Sequence, residues 1–283
     1  MPNIGKNRMK KRIYFSVMIA AMMLCRFPAW AQTQTLKDIM QENRENREAN
    51  YAKWGPTSDN KGMGFVVRVG YVLGGTTPLP LPDEIRKINE FSPKGGISVG
   101  FDGYKFFNMR WGMTAGLRLF FQGMHTGANV KNYHTAIQMG DDIVEGNFTG
   151  TDITDTRMLG LTIPVAAAYR VGARWTFNLG PYFSYWIYRD LDGEVYDGYL
   201  RENDPTGQKI AIGSDNPASY DFSDDMRRFS CGAEFCADFR ITRHLNVFSL
   251  LDWGFMDVFK DDFETISFSL YPIYATFGLA YFY

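Results

Sequence analysis

The chain has 283 residues with 30 Lys+Arg against 31 Asp+Glu, a formal net charge of −1, which leaves no electrostatic argument for a nucleic-acid partner. Aromatic residues make up 16% and fall in period-two runs rather than on helical stripes. After Lys61 only Lys87, Lys94, Lys105, Lys131, Lys209 and Lys260 remain, whereas a soluble β-protein spreads Lys and Glu along its solvent face and edges.

The N-terminus is basic (Lys6, Arg8, Lys10, Lys11, Arg12), followed by the apolar run 13–24 and by Ala29-Trp30-Ala31. That order reads as a signal peptide over 1–31, cleaved after Ala31, because the apolar run is too short to span a bilayer. Met9, followed at once by Lys10 and Lys11, is an alternative start to Met1. The bulky residues 22–24 before Cys25 do not suit lipoprotein processing. Signal removal leaves Cys231 and Cys236; five residues apart on one strand, they point to opposite faces roughly 17 Å apart and cannot bridge. Residues 32–61 are polar and rich in charge (Glu42, Arg44, Glu45, Arg47, Glu48), with Leu36, Ile39 and Met40 at helical spacing. The expectation is a polar periplasmic segment with room for a short amphipathic helix.

From residue 62 onward the period becomes two, which is the signature of strands. Eight are expected, over 62–74, 95–106, 110–122, 158–170, 174–188, 226–240, 244–256 and 265–283. One face of each is apolar: Phe65, Val67, Val69 and Tyr71 in the first, Trp111, Met113, Leu117, Leu119 and Phe121 in the third, Phe229, Phe235 and Phe239 in the sixth. The last carries no charge and ends in Phe277, Leu279, Tyr281 and Tyr283 on one parity. Pro272 and the weight of aromatic and β-branched residues argue against a spanning helix there. About ten residues suffice to cross a 25 Å apolar band at a 40° tilt, and every expected strand reaches that length.

The connections alternate. Three are a few residues long (107–109, 171–173, 241–243), while 75–94, 123–157, 189–225 and 257–264 are longer. An even number of strands joined alternately by short turns and long loops is the outer-membrane pattern, with the turns in the periplasm. Charge follows the same division: Arg110, Arg170, Arg174, Arg240, Arg243 and His244 sit at the short turns, and the segment 189–225 is acidic. The rival is a soluble ligand-binding barrel with its polar face outward. That face holds Gly96, Gly100, Gly112, Gly116, Gly160, Gly180, Gly232, Gly254 and Gly278 with few charges, which suits a crowded eight-stranded interior and makes a poor solvent surface. The opposite face, full of Trp, Phe, Leu and Tyr, suits lipid. The expected fold is an all-β, eight-stranded antiparallel transmembrane barrel over 62–283, integral to the cell outer membrane.

The runs Leu161-Thr162-Ile163-Pro164 to Tyr169-Arg170, Gly180-Pro181-Tyr182-Phe183-Ser184-Tyr185, 229–239 and 274–283 resemble the PorT-type outer-membrane β-barrel family common in Bacteroidetes. The resemblance implies an eight-stranded barrel inserted by the barrel-assembly machinery, which reads a C-terminal strand ending like Phe277, Leu279, Tyr281 and Tyr283. It does not imply one activity: some members serve a protein-secretion apparatus. Outer-membrane lipid and lipopolysaccharide are the expected surroundings, with envelope or secretion proteins as the partner class.

For chemistry, His125 and His134 near Asp141, Asp142 and a loop serine offer a hydrolase constellation at spacing that is not diagnostic. Asp190-x-Asp192-Gly193-Glu194 matches part of a calcium loop, without the remaining ligands; divalent-cation bridging to lipopolysaccharide phosphates is the use such a segment would have. No catalytic, cofactor or metal residue is assigned. Arg68, Asp102, Arg118, Arg228, Glu234, Asp238 and Asp252 share the polar parity. They form a candidate lumen charge network, expected to plug the barrel because unpaired charges are too costly to bury. The function expected is non-enzymatic: an envelope, interaction or structural protein. The alternatives are a small porin, an accessory of secretion, and a lipid-modifying enzyme.

Overall fold

The computed structural model describes residues 37–42, 44–45, 62–139, 142–202 and 206–283. The signal segment, its cleavage site and most of 32–61 lie outside these. Residues 37–42 and 44–45 are helical and exposed and fall in one compact unit, while the strands fall in a second.

Among the described residues there are eleven strands: β1 (Met63–Pro78), β2 (Ile85–Pro93), β3 (Gly96–Phe106), β4 (Trp111–Met139), β5 (Asp142–Val171), β6 (Trp175–Glu202), β7 (Lys209–Ile212), β8 (Ala218–Asp221), β9 (Phe229–Arg240), β10 (Leu245–Gly254) and β11 (Leu270–Phe282). Eight of them close a ring: β1-β3-β4-β5-β6-β9-β10-β11, with β11 pairing back onto β1 from Val66↔Phe282 to Pro78↔Leu270. Every pairing is antiparallel. Closure satisfies each strand's backbone groups from its neighbours and leaves no edge, the only β-solution in hydrocarbon. Among the described residues no helix is long and apolar enough to cross a membrane.

The two parities separate cleanly in the ring. Val69, Tyr71, Phe101, Leu117, Leu119, Ile163, Leu179, Phe183, Phe235, Val247, Trp253 and Leu279 all point outward and are exposed. Such a continuous apolar band has no place in water and is the surface lipid solvates. The inward parity is buried, and its glycines make room for large side chains. A Cβ on Gly160 would lie 2.6 Å from the Trp186 ring, and one on Gly232 would lie 2.8 Å from the Tyr182 ring.

The long connections are built of strand, which the sequence pattern did not indicate. β4 and β5 run for 29 and 30 residues and stay paired out to Met139↔Asp142, far beyond the roughly ten residues a membrane crossing needs. β6 follows them to Glu202, β2 adds to the edge of β4, β7 pairs with β6, and β8 bridges β6 and β4. These extensions form a folded cap over the long-connection end, with a core of Ile137, Phe148, Val195, Leu200, Met226 and Phe259. A bulge at Lys131-Asn132 interrupts the β4–β5 register between Val130 and Tyr133. Asn132 adopts φ 57° there, a left-handed conformation that Asn tolerates better than most residues, and its N–H donates to Thr149 Oγ1 at 3.0 Å. The bulge moves the buried parity of β4 from even positions (Met124, Ala128, Val130) to odd ones (Tyr133, Thr135, Ile137).

Arginine at Leu117, Val165 or Phe235, each outward in mid-strand, is expected to cost about 2–4 kcal/mol in denaturant unfolding from lipid vesicles. Arginine at Gly213, where a side chain would meet nothing within 4 Å, is expected to stay within about 0.5 kcal/mol. Equal tolerance at all four positions would reverse the assignment of the outer face.

Candidate functional site

The lumen is lined by side chains that two arginines organise. Arg68 on β1 forks onto Asp238 on β9, with Nη1–Oδ1 at 2.6 Å and Nη2–Oδ2 at 3.0 Å, while its Nε donates to Asp102 of β3 at 2.8 Å. Planar, bidentate pairing is the geometry guanidinium is built for. Asn178 Nδ2 supplies Asp238 Oδ2 with a further donor at 2.9 Å, and the Phe248 ring lies 5.1 Å from the Arg68 guanidinium carbon. One level nearer the cap, Arg118 on β4 crosses to Glu234 on β9 at 2.8 Å and lies 3.7 Å from Asp252 on β10. Arg118 is 3% exposed and Glu234 4%, so neither group has bulk water to compensate the loss of its partner.

Aromatic residues fill the space at both ends of this polar layer. Toward the cap, Phe120, Trp186 and Tyr274 pack with ring centroids 4.8–6.5 Å apart, and Gln122 Nε2 donates to Tyr274 Oη at 3.2 Å. At the short-turn end, Tyr104 packs on Phe106 and Phe282, and the Arg170 guanidinium lies 3.8 Å from the Phe106 centroid. The sequence reading missed this aromatic fill because inward Trp186, Tyr182 and Tyr274 stand among glycines and polar residues on the same parity. The glycines opposite them, Gly160 and Gly232, were the available signal.

Six of the seven lumen candidates, Arg68, Asp102, Arg118, Glu234, Asp238 and Asp252, meet in the two clusters. Arg228 does not. It precedes the first residue of β9, where strand parity no longer directs the side chain inward; it is exposed, with Nη1 3.4 Å from Tyr185 Oη. Phe277, Leu279, Tyr281 and Tyr283 are exposed on the outer face at the barrel seam.

Among the described residues neither candidate hydrolase histidine bonds a serine. His125 Nδ1 lies 3.1 Å from both Asp155 carboxylate oxygens, and Lys94 pairs with the same carboxylate. Burial by itself would raise the Asp155 carboxyl, but the hydrogen bonds from Lys94 and His125 hold it below the usual range. Ser92 stands opposite His125 in register, yet no hydrogen bond joins them among the described residues. His134 Nδ1 bonds the Thr265 carbonyl at 3.0 Å, and its Nε2 is 3.8 Å from Glu145. Asp141 and the side chain of Asp142 lie outside the described residues. Residues 190–194 are extended in β6 rather than coiled as a calcium loop, and no group of three His, Cys, Asp or Glu among the described residues is placed to hold a metal.

The sequence reading also missed a cavity in the cap. Its solvent-accessible volume is about 100 Å³, its walls are mainly apolar, and Asp152, Thr154 and Tyr220 are its polar corner. Asp152 Oδ1 accepts from Tyr220 Oη at 2.9 Å, and Thr154 Oγ1 lies 3.4 Å from Oδ2 and 2.8 Å from Tyr220 Oη. Burial pushes the Asp152 carboxyl up to about 6, against the opposing pull of these hydrogen bonds.

A closed antiparallel ring with an apolar outer band and an interior of paired charges and aromatics defines an outer-membrane β-barrel. The chain belongs to the outer membrane protein beta-barrel domain family, whose model matches residues 31–260. Among solved structures it is similar to Ail, the attachment invasion locus protein of Yersinia pestis, at 10% identity and a TM-score of 0.35, covering 79% of this chain and 99% of that one. It is also similar to OprG from Pseudomonas aeruginosa, at 11% identity and a TM-score of 0.32, covering 79% and 97%. No curated protein sequence matches the chain.

A folded-state carboxyl raised to about 6 contributes stability that is complete below the unfolded value near 4 and is lost as pH rises through 6. Asp152→Asn is therefore expected to be more stable than the unmodified protein at pH 8, by roughly 3 kcal/mol at most, and so to melt higher, with the difference vanishing near pH 4. The midpoint of heat-induced loss of the compact gel band at each pH checks this.

Proposed function

We propose that this outer-membrane barrel is a non-enzymatic envelope protein whose lumen is closed by its own side chains, and whose interactions are made by the folded cap outside the cell. The observation that carries the reading is the filling of the lumen: two arginine-centred ion clusters between layers of packed aromatics. A conduit needs charges that face water, whereas these six groups face one another and are buried. The orientation rests on connection length and charge. Three short turns and a concentration of arginine mark one end, suited to the periplasm, and the acidic, folded cap marks the other.

In this reading a signal peptide ending near Ala31 directs export, and the segment 32–61 stays in the periplasm. The seam strand β11, with Phe277, Leu279, Tyr281 and Tyr283 outward, is what the assembly machinery recognises. Lipopolysaccharide surrounds the outer half of the barrel. The PorT-type resemblance of 161–170, 180–185, 229–239 and 274–283 favours a partner among Bacteroidetes envelope or secretion proteins. Retention of Lys94 and His125 on one carboxylate, with no serine bonded to either histidine among the described residues, counts against the lipid-modifying alternative.

Purified protein in planar bilayers is expected to give no stable single-channel currents. Arg118→Ala is expected to stay non-conducting while its barrel opens at lower temperature on a denaturing gel, because an acidic partner left buried costs about 3–5 kcal/mol. Steady currents from the unmodified protein, with ion preference changed by that substitution, would establish the porin reading instead.

A further inference from the structure

We infer that the cap cavity is a binding site for a small alkylammonium: an amine whose charged nitrogen sits on the Asp152 carboxylate and whose apolar tail fills the cavity. The site lies outside the lumen network and goes beyond the proposed envelope role.

The chemistry of the walls selects the ligand. Asp152 projects from β5 into a space whose apolar walls include Ile85, Met124, Val130, Leu191, Ile266 and Phe268, with Thr76, Thr126 and Tyr133 also lining it. Only 8% of Asp152 is exposed, and among the described residues no Lys or Arg pairs with it. An ionised carboxylate has about four acceptor positions. Among the described residues two hydroxyls bond it, Tyr220 Oη and, at a long 3.4 Å, Thr154 Oγ1. Tyr220 has a single proton and also lies 3.3 Å from the Ile153 carbonyl, so the hydroxyls cannot saturate the acid. Thr126 Oγ1, on the β4 wall of the same cavity, is buried with no hydrogen-bond partner among the described residues.

An ammonium group supplies what this corner lacks: positive charge and up to three N–H donors directed at a carboxylate and a hydroxyl. A neutral alcohol supplies one donor and no charge. A carboxylate ligand is repelled. Size sets the tail, since a dry cavity of about 150 Å³ holds benzene and this one is about 100 Å³, which suits a chain of roughly four carbons. The wall formed by Ile266, Phe268 and Leu270 belongs to the segment that enters β11. It is held at Thr265 by His134, at Phe268 by packing on the Tyr133 ring 5.8 Å away, and at Leu270 by the Asp257 carboxylate and the Val258 N–H.

The test uses the full-length protein in lipid nanodiscs, titrated at neutral pH with n-butylamine, n-butanol or butyrate and followed by amide NMR shifts at residues 152, 154 and 220. n-Butylamine is expected to bind saturably, about ten- to a hundredfold more tightly than n-butanol, as a charge-assisted bond predicts, with butyrate giving no saturable shift. Asp152→Asn should abolish the preference for the amine while keeping the heat-dependent gel shift of a folded barrel. Ala128→Leu, which fills the cavity from β4, should weaken amine and alcohol alike. Absence of saturable amine binding, equal affinity for amine and alcohol, or unchanged amine affinity in Asp152→Asn would each overturn the assignment. None of these outcomes bears on lumen closure, which conductance reads separately.

Discussion

Hydrocarbon offers no hydrogen bonds, and that single fact organises this molecule. Each backbone N–H and C=O of a strand in lipid must find a partner within the protein, so the first and last strands must meet. They do so over thirteen residue pairs between β1 and β11, which places the C-terminal aromatics at the seam. Closure with eight strands then dictates the interior, because a barrel of this size is only wide enough for side chains to fill. Inward charges have no water to fall back on and must be paired. Arg68 meets Asp102 and Asp238, Arg118 meets Glu234 and Asp252, and large aromatics occupy the space left by inward glycines. A buried ion pair adds little net stability compared with an apolar equivalent. Its effect here is to join β1, β3, β4, β9 and β10 across the lumen, so that breaking one member leaves an uncompensated charge.

Beyond the membrane the constraint is relaxed and the chain does something different. β4, β5 and β6 continue as paired strands into water, and one inward row of Ala128, Val130, Ile137, Phe148 and Val195 becomes the core of a small β-domain. The outward row of β4–β6 there is largely polar: Asn129, Thr151, Asp155 and Glu194 replace the Trp, Phe and Leu of the band below, with Ile143 an exposed exception. The same alternation therefore serves two solvents: an apolar outer row over a lumen of paired charges in the membrane, and a largely polar outer row over an apolar core in the cap. The arrangement also leaves an acidic group, Asp152, inside the cap core at a cost that its two hydroxyl neighbours only partly offset.

The membrane ring was legible because its outward row is apolar at every second residue, as in Trp111, Met113, Leu117, Leu119 and Phe121, and all eight strands follow in chain order. Six of the seven lumen charges were legible from parity alone. Arg228 was misplaced because parity ceases to hold one residue before β9. The cap was not legible, for two reasons. Its outer row is polar, so the contrast with loop composition disappears, and the bulge at Lys131-Asn132 shifts the buried parity within β4, which breaks the period that would have revealed the strand. The cavity could not be read at all, since Asp152, Tyr220 and Phe268 come from three distant segments that only pairing and closure bring together.

Closure of the lumen by its own side chains is the claim on which the functional account turns, and Cys236 reports on it directly. This thiol is buried in the lumen, 3.7 Å from both the Arg68 guanidinium and the Asp238 carboxylate, whereas Cys231 lies on the outward parity of the same strand. With Cys25 and Cys231 replaced by serine, Cys236 is the sole thiol of the chain, and a charged, water-soluble methanethiosulfonate can be added to the folded protein in lipid vesicles. The account predicts no labelling of Cys236 until the barrel is unfolded. Labelling of the folded protein at a rate close to that of the unfolded chain would show a water-filled lumen and contradict it.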